Sequence, residues 1–165
     1  ALGLLNATIK YLSQNIFTVS SIRTIALLSS ARTVSFVVTL LSYFFIVNVI
    51  FTLHFNVLIT IFLLSLVSFL LIIQSTWNYT LDKNLKKAIP WGAMLTICIA
   101  EISFLLWFWP STPTIISLFL TGFFYIILGL SHLWFEKRLF KSVLWEYIWV
   151  AVVVFIVLVV FTSWI

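Results

Sequence analysis

Charge is the first thing this sequence lacks. Only 8% of its 165 residues are Asp, Glu, Lys or Arg, where a soluble domain carries about a quarter. So few charges cannot clothe a water-facing surface, and they exclude a disordered tail as well. Cysteine is nearly absent. The one residue, Cys98, has no mate in the chain, which excludes a disulfide scaffold, and it reads as a small buried hydrophobe within an apolar run. Glycine and proline number four and three. No apolar run is broken by a paired Gly and Pro, the feature that marks the discontinuous helices of many transporters. The phosphate-binding GxxxxGK[ST], the dinucleotide GxGxxG, HExxH, GxSxG and any Cys pair for metal are all missing. No cofactor or metal is therefore expected.

What fills the chain instead is apolar: 64% of residues, with a mean hydropathy of +1.25. A helix needs about 20 apolar residues to cross the hydrocarbon core, and five runs qualify. They are Val34 to Phe55, Val57 to Trp77, Ala88 to Trp109, Thr114 to Phe135 and Leu144 to Trp164. Barrel strands would be about half that length and would alternate. In lipid every backbone polar group needs an internal partner, which leaves helices. The expected fold is all-α, an integral membrane bundle of five transmembrane helices in one domain over 33–165.

The net charge of +5 is no patch for nucleic acid; its placement is topological. Basic residues occur at Arg23 and Arg32, in the connection Leu81 to Lys87, and in Glu136 to Lys141. The intervening connections, His54-Phe55-Asn56 and Pro110-Ser111-Thr112-Pro113, have none. Lys and Arg in short loops mark the cytoplasmic side. The expected orientation is N-in and C-out, in a bacterial plasma membrane, with the basic loops cytoplasmic. Tryptophans divide the same way, as expected for rings with one apolar and one wet side. Trp77, Trp91, Trp134, Trp145 and Trp149 lie toward the basic end, and Trp107, Trp109 and Trp164 toward the other.

Residues 1–32 mix Ile16, Phe17, Val19, Ile22 and Ile25 with Ser20, Ser21, Arg23 and Thr24. That composition suits an N-terminal interfacial helix, or, over the first twelve residues, the tail of a helix that begins before Ala1.

Of the thirteen charged residues, nine basic and four acidic, Glu101 alone falls well inside a span. A carboxylate at depth costs at least ~2.5 kcal/mol, and such a residue marks a functional site by default. Counting down each span places Asn48, Ser65, Ser68, Thr121 and Tyr125 at a similar depth, and no cation. Glu101, Asn48, Thr121 and Tyr125 are thus the candidate intramembrane polar group, and a hydrogen bond to a polar neighbour is expected rather than an ion pair.

Helix-packing positions form a second set. At 100° per residue, Gly92, Thr96, Ala100 and Ser103 fall within about 80° of one another, a small-residue stripe that lets helices approach closely. Glu101 points roughly opposite, beside Met94, Ile97, Cys98 and Leu105. The third span therefore needs cover on two faces, either from a central place in the bundle or from something outside it. The fourth span adds Ser117, Thr121, Gly122 and Gly129, and a four-residue turn predicts an antiparallel hairpin of spans three and four. His132 and Glu136, spaced i, i+4, read as an interfacial polar pair near Arg138, and His54 as an interfacial residue at the far turn. Asn6-Ala7-Thr8 and Asn78-Tyr79-Thr80 match the glycosylation tripeptide without a context that supports it.

Several strings are familiar together. Phe17-Thr18-Val19, Ile22-Arg23-Thr24, Thr33-Val34-Ser35-Phe36, Ala100-Glu101, Phe108-Trp109-Pro110, Ser117-Leu118-Phe119-Leu120-Thr121, Arg138-Leu139-Phe140 and Glu146-Tyr147 resemble one family of bacterial multi-pass membrane proteins, known only as a domain of unknown function. The resemblance runs from Ile16 to the end. It implies further helices before Ala1 and carries no catalytic or binding residue with it.

The expected function is that of a non-enzymatic structural or assembly component, working through helix packing in the lipid bilayer with a second copy or another membrane subunit. The alternative is a small transporter or channel component with Glu101 as its protonatable site. A lipid-modifying enzyme would have to use His132, Glu136 and Glu146, which no nucleophile or metal set accompanies.

Overall fold

Each apolar run becomes one helix in the computed structural model, which describes residues 2–79, 85–137 and 139–162, with the backbone alone at 14–25, 78, 79, 85 and 87. The helices are α1 (Leu2–Thr52), α2 (Val57–Tyr79), α3 (Leu85–Trp107), α4 (Pro113–Phe135) and α5 (Lys141–Phe161). No strand occurs among the described residues. Their spans, Ala26–Thr52, Val57–Trp77, Ala88–Trp107, Pro113–Phe135 and Lys141–Phe161, are all long and apolar enough to cross a membrane. Arg138, Trp164, most of the 81–87 connection and the side chain of Arg23 lie outside the described residues, so the expectations placed on them do too.

Several boundaries shift by one to eight residues from the sequence reading, and two of the shifts have a clear local reason. The first span begins at Ala26 rather than Val34, because α1 passes through Arg32 without a break. The third stops at Trp107 instead of Trp109. Phe108 and Trp109 already turn, with Trp109 N–H bonded to the Leu106 carbonyl at 3.1 Å, since the residue before a proline avoids helical geometry.

Residues 1–37 and 38–165 form separate compact units. In the first, the described side chains at 2–13 and 26–31 are exposed.

In the second unit the turns are tight. Leu53 N–H bonds Val49 O at 3.0 Å, and His54 then adopts the left-handed region at φ 47°, a helix stop. Asn56 caps α2, its carbonyl accepting from Thr60 N–H at 2.9 Å. At the other turn Thr112 is extended and Pro113 opens α4, where its missing N–H has no role. Glu136 caps the far end of α4 and Lys137 turns left-handed at φ 53°.

The core comprises Tyr43, Val47, Leu64, Ile72, Ile99, Leu120, Phe124 and Leu128, all 1% exposed or less. α2 packs most closely on α3, and α4 on α5. The α3–α4 pair, despite its four-residue turn, stays further apart. Small residues explain the choice of neighbour. A methyl on Gly92 would meet Ile72 and Ile73 of α2 at 3.5 and 3.7 Å, and one on Gly122 would meet Val154 of α5 at 2.8 Å. Between α3 and α4, by contrast, stand Trp91, Trp134 and Phe135, whose ring centroids lie 6.2–6.3 Å from Trp91. Large rings hold those two axes apart.

Candidate functional site

Buried hydroxyls are costly in lipid unless they are bonded. Here most bond to a carbonyl one turn back on their own helix: Thr76 to Ile72, Thr96 to Gly92, Ser103 to Ile99 and Ser131 to Ile127, at 2.6–2.7 Å. This back-bonding satisfies the hydroxyl without a partner helix.

The interhelical polar contacts occupy three levels. At mid-bundle Tyr43 of α1 is fully buried and stacked on Phe124 of α4, with centroids 4.1 Å apart and planes at 12°. Its hydroxyl shares a 3.2 Å hydrogen bond with Ser68 of α2. One side chain thus joins three helices. At the basic end, Ser75 of α2 and His132 of α4, both buried, bond at 3.1 Å through Nε2. Trp91 of α3 donates to Ser131 Oγ of α4 at 3.4 Å. At the turn end, Trp109 donates from Nε1 to Thr162 Oγ1 at 2.8 Å, tying the α3–α4 turn to the end of α5. The Thr162 hydroxyl in turn donates to the Leu158 carbonyl.

The four intramembrane polar candidates do not converge. Thr121 and Tyr125 line an apolar groove between α4 and α5, with Val150, Val154 and Leu158, and the Tyr125 ring lies 5.6 Å from that of Tyr147. Thr121 donates to the Ser117 carbonyl at 2.7 Å. Asn48 is half-buried on α1, its own carbonyl accepting from Thr52 Oγ1 at 2.6 Å. Ser68, another candidate neighbour of Glu101, is taken by Tyr43. Glu101 is exposed. It sits in a shallow groove on the outer surface of α3, lined by Ile97, Ala100, Phe104, Leu105 and Ile61 of α2. Among the described residues it has neither hydrogen bond nor ion pair. Six residues separate it from the helix end at Trp107, about 9 Å of rise.

Of the packing positions, Gly92, Thr96 and Ser103 are buried and Ala100 half-buried at the edge of the Glu101 groove. Gly122 and Gly129 face α5, against Val154 and Tyr147 respectively.

His132 requires a correction. It is buried against α2, whereas Glu136 is exposed and stands in the cap beyond the last turn of α4. Glu136 stands one turn beyond His132, its N–H bonded to the His132 carbonyl at 3.0 Å, but only the His132 side chain is drawn into the bundle. Glu146 is exposed on α5, and no group of three His, Cys, Asp or Glu among the described residues could hold a metal.

A family model described as "Protein of unknown function (DUF5656)" matches residues 23–161. The chain belongs to this family. The resemblance read from the sequence strings is thereby borne out as a domain of unknown function, over all five spans. No curated protein and no solved structure matches the chain. This DUF5656 member is a multi-pass membrane protein.

Tyr43 and the Ser75–His132 pair escaped the sequence reading, though each left a trace. Tyr43 lies nine residues inside the end of its span, away from the interface where tyrosine ordinarily sits. Ser75 and His132 both precede the basic connections by a few residues, at matching depths on α2 and α4.

Proposed function

We propose that this protein is a non-enzymatic assembly component of the membrane, binding a second copy or another membrane subunit through its helix faces. Glu101 carries the reading. A carboxyl on the lipid-facing surface of α3, in an apolar groove, has a standing cost of at least ~2.5 kcal/mol when charged. Protein cover that offers it a hydrogen-bonding partner removes that cost. The interior supports the same view, because most of its hydroxyls bond back to their own helix and the remainder mainly join one helix to another. A transport route through Glu101 has less behind it, since Asn48, Thr121 and Tyr125 lie in other places. In-membrane cross-linking followed by mass determination in mild detergent is expected to recover a complex. A monomer that captures no membrane protein overturns the proposal.

The proposed location is a bacterial plasma membrane with the basic connections cytoplasmic, supported by the alternation of Lys and Arg along the chain. In a Cys98→Ser background, an impermeant thiol reagent added outside should label Thr112→Cys and spare Lys141→Cys. The opposite pattern inverts the topology.

A further inference from the structure

The surface around Glu101 has a periodicity of its own. Met94, Ile97, Glu101 and Phe104 of α3 follow one another at intervals of three, four and three residues, the a/d spacing of a coiled-coil seam, and Phe108 follows in the turn beyond the helix. All five are exposed. The opposite face of α3 carries a second run, Gly92, Thr96, Ile99, Ser103 and Leu106, which is buried in the bundle. α3 therefore presents one seam inward, already filled, and one outward, with a carboxyl at its centre and Ile61 of α2 walling its side.

What can cover that outer seam is limited by hydrogen-bonding chemistry. Along the sequence the Lys and Arg residues fall at positions 10–32, 83–87 and 137–141, none within the stretches next to the 53–56 and 108–112 turns, so by sequence order a second copy brings no Lys or Arg to the depth of Glu101. It brings another Glu101. Copies inserted with the same sidedness and related by a two-fold axis normal to the membrane set their α3 helices parallel, with equal residues at equal depth. Each seam position then meets its own counterpart. A carboxyl in its neutral acid form has one donor and one acceptor side by side, so two of them close a pair of reciprocal O–H···O=C hydrogen bonds. Each proton stays on its own carboxyl and no charge is buried. The lining residues add no competing polar group. A lone polar residue at an a position among apolar neighbours also fixes register and oligomer number, and side-chain hydrogen bonds hold transmembrane helices together.

We infer that this protein forms a parallel homodimer through the Met94–Ile97–Glu101–Phe104 seam of α3, with the two Glu101 carboxyl groups hydrogen-bonded to each other on the symmetry axis. The inference rests on the assembly reading and names its partner.

The test uses the full chain in liposomes, in a Cys98→Ser background, with dimer fraction followed against protein-to-lipid ratio by single-molecule photobleaching. Cysteines at Ile97 and Phe104 are expected to form disulfide-linked dimers, and cysteines at Val152 and Ile156 of α5 are not. Glu101→Leu should weaken dimerisation roughly tenfold, the loss of two interhelical hydrogen bonds of ordinary strength in a membrane. Glu101→Gln should hold it near the parent value, because a carboxamide is likewise self-complementary. Glu101 faces outward, so the monomer fold is the same in both variants, which far-UV circular dichroism checks. Dimers that cross-link through α5 and are indifferent to Glu101→Leu overturn the seam while leaving the assembly reading in place. Monomers here, with a different membrane protein captured from native membranes, do the same. Monomers that capture nothing overturn both.

Discussion

Replacing Tyr43 by alanine is expected to remove about 3 kcal/mol of stability. This is the low end of the range for truncating a large buried aromatic, because the unfolded reference in lipid is already surrounded by apolar groups and little is regained by transfer. What remains is packing. Tyr43 is 0% exposed, stacks on Phe124 at 4.1 Å and reaches Ser68 with its hydroxyl, so truncation opens a cavity where α1, α2 and α4 meet. Tyr43→Phe separates the two contributions. It keeps the stack and loses the hydrogen bond, for about 0.6 kcal/mol and at most about 1.7. Ser68→Ala should match it, and the double variant should cost little more than either single one, since both delete the same bond. Equilibrium unfolding in bicelles measures all four. A Tyr43→Ala variant within 1 kcal/mol of the parent would mean that α1 is not anchored at this point.

The second large effect is expected at Gly122. A methyl group there would stand 2.8 and 2.9 Å from the two γ-carbons of Val154, closer than carbon atoms approach. Val154 cannot turn away cheaply, because a β-branched side chain in a helix has one strongly preferred rotamer. α5 must therefore move, and Gly122→Ala should cost about 1–3 kcal/mol, the usual penalty of overpacking. Val154→Ala removes the obstructing carbons, so the double variant should recover most of the loss, a coupling of at least ~1 kcal/mol. Gly129 offers the contrast. Its methyl would meet the ring tip of Tyr147, which can swing aside with less disturbance, so Gly129→Ala should cost less than Gly122→Ala. An equal or reversed order would show that α4 and α5 are not set by the Gly122–Val154 contact.

Hydropathy and charge made the five spans legible because both are properties of residue type, summed over many positions. Single residues did not dominate either sum. Pairing between helices is different in kind. A 3.6-residue period shows that Gly92, Thr96 and Ser103 share a face with one another and not with Glu101, and the structure keeps them so. It does not say which helix fills that face. The choice of α2 follows from Ile72 and Ile73 fitting over Gly92, and the spacing of α3 from α4 follows from Trp91, Trp134 and Phe135. These are matters of shape between segments distant in sequence. His132 shows the complementary difficulty. Its i, i+4 partner Glu136 stands one turn on, at the cap of α4, where the side chain is exposed while His132 turns to Ser75. The Ser75 contact joins positions 57 residues apart, beyond the reach of any local pattern. Glu101 was visible because a carboxyl in an apolar run is anomalous whatever surrounds it.

The central claim is that protein, not lipid, covers the Glu101 face of α3. Oxygen accessibility of a nitroxide, attached at Ile97→Cys in the Cys98→Ser background and measured in membranes at the protein's native density, tests it most directly. A second label at Ile156→Cys on α5 serves as the lipid-exposed reference, since both side chains are more than half exposed in the isolated chain. The label at 97 is expected to be shielded from oxygen relative to the label at 156, and dilution into excess lipid to abolish the difference. Equal oxygen accessibility at the two positions at native density would contradict the claim.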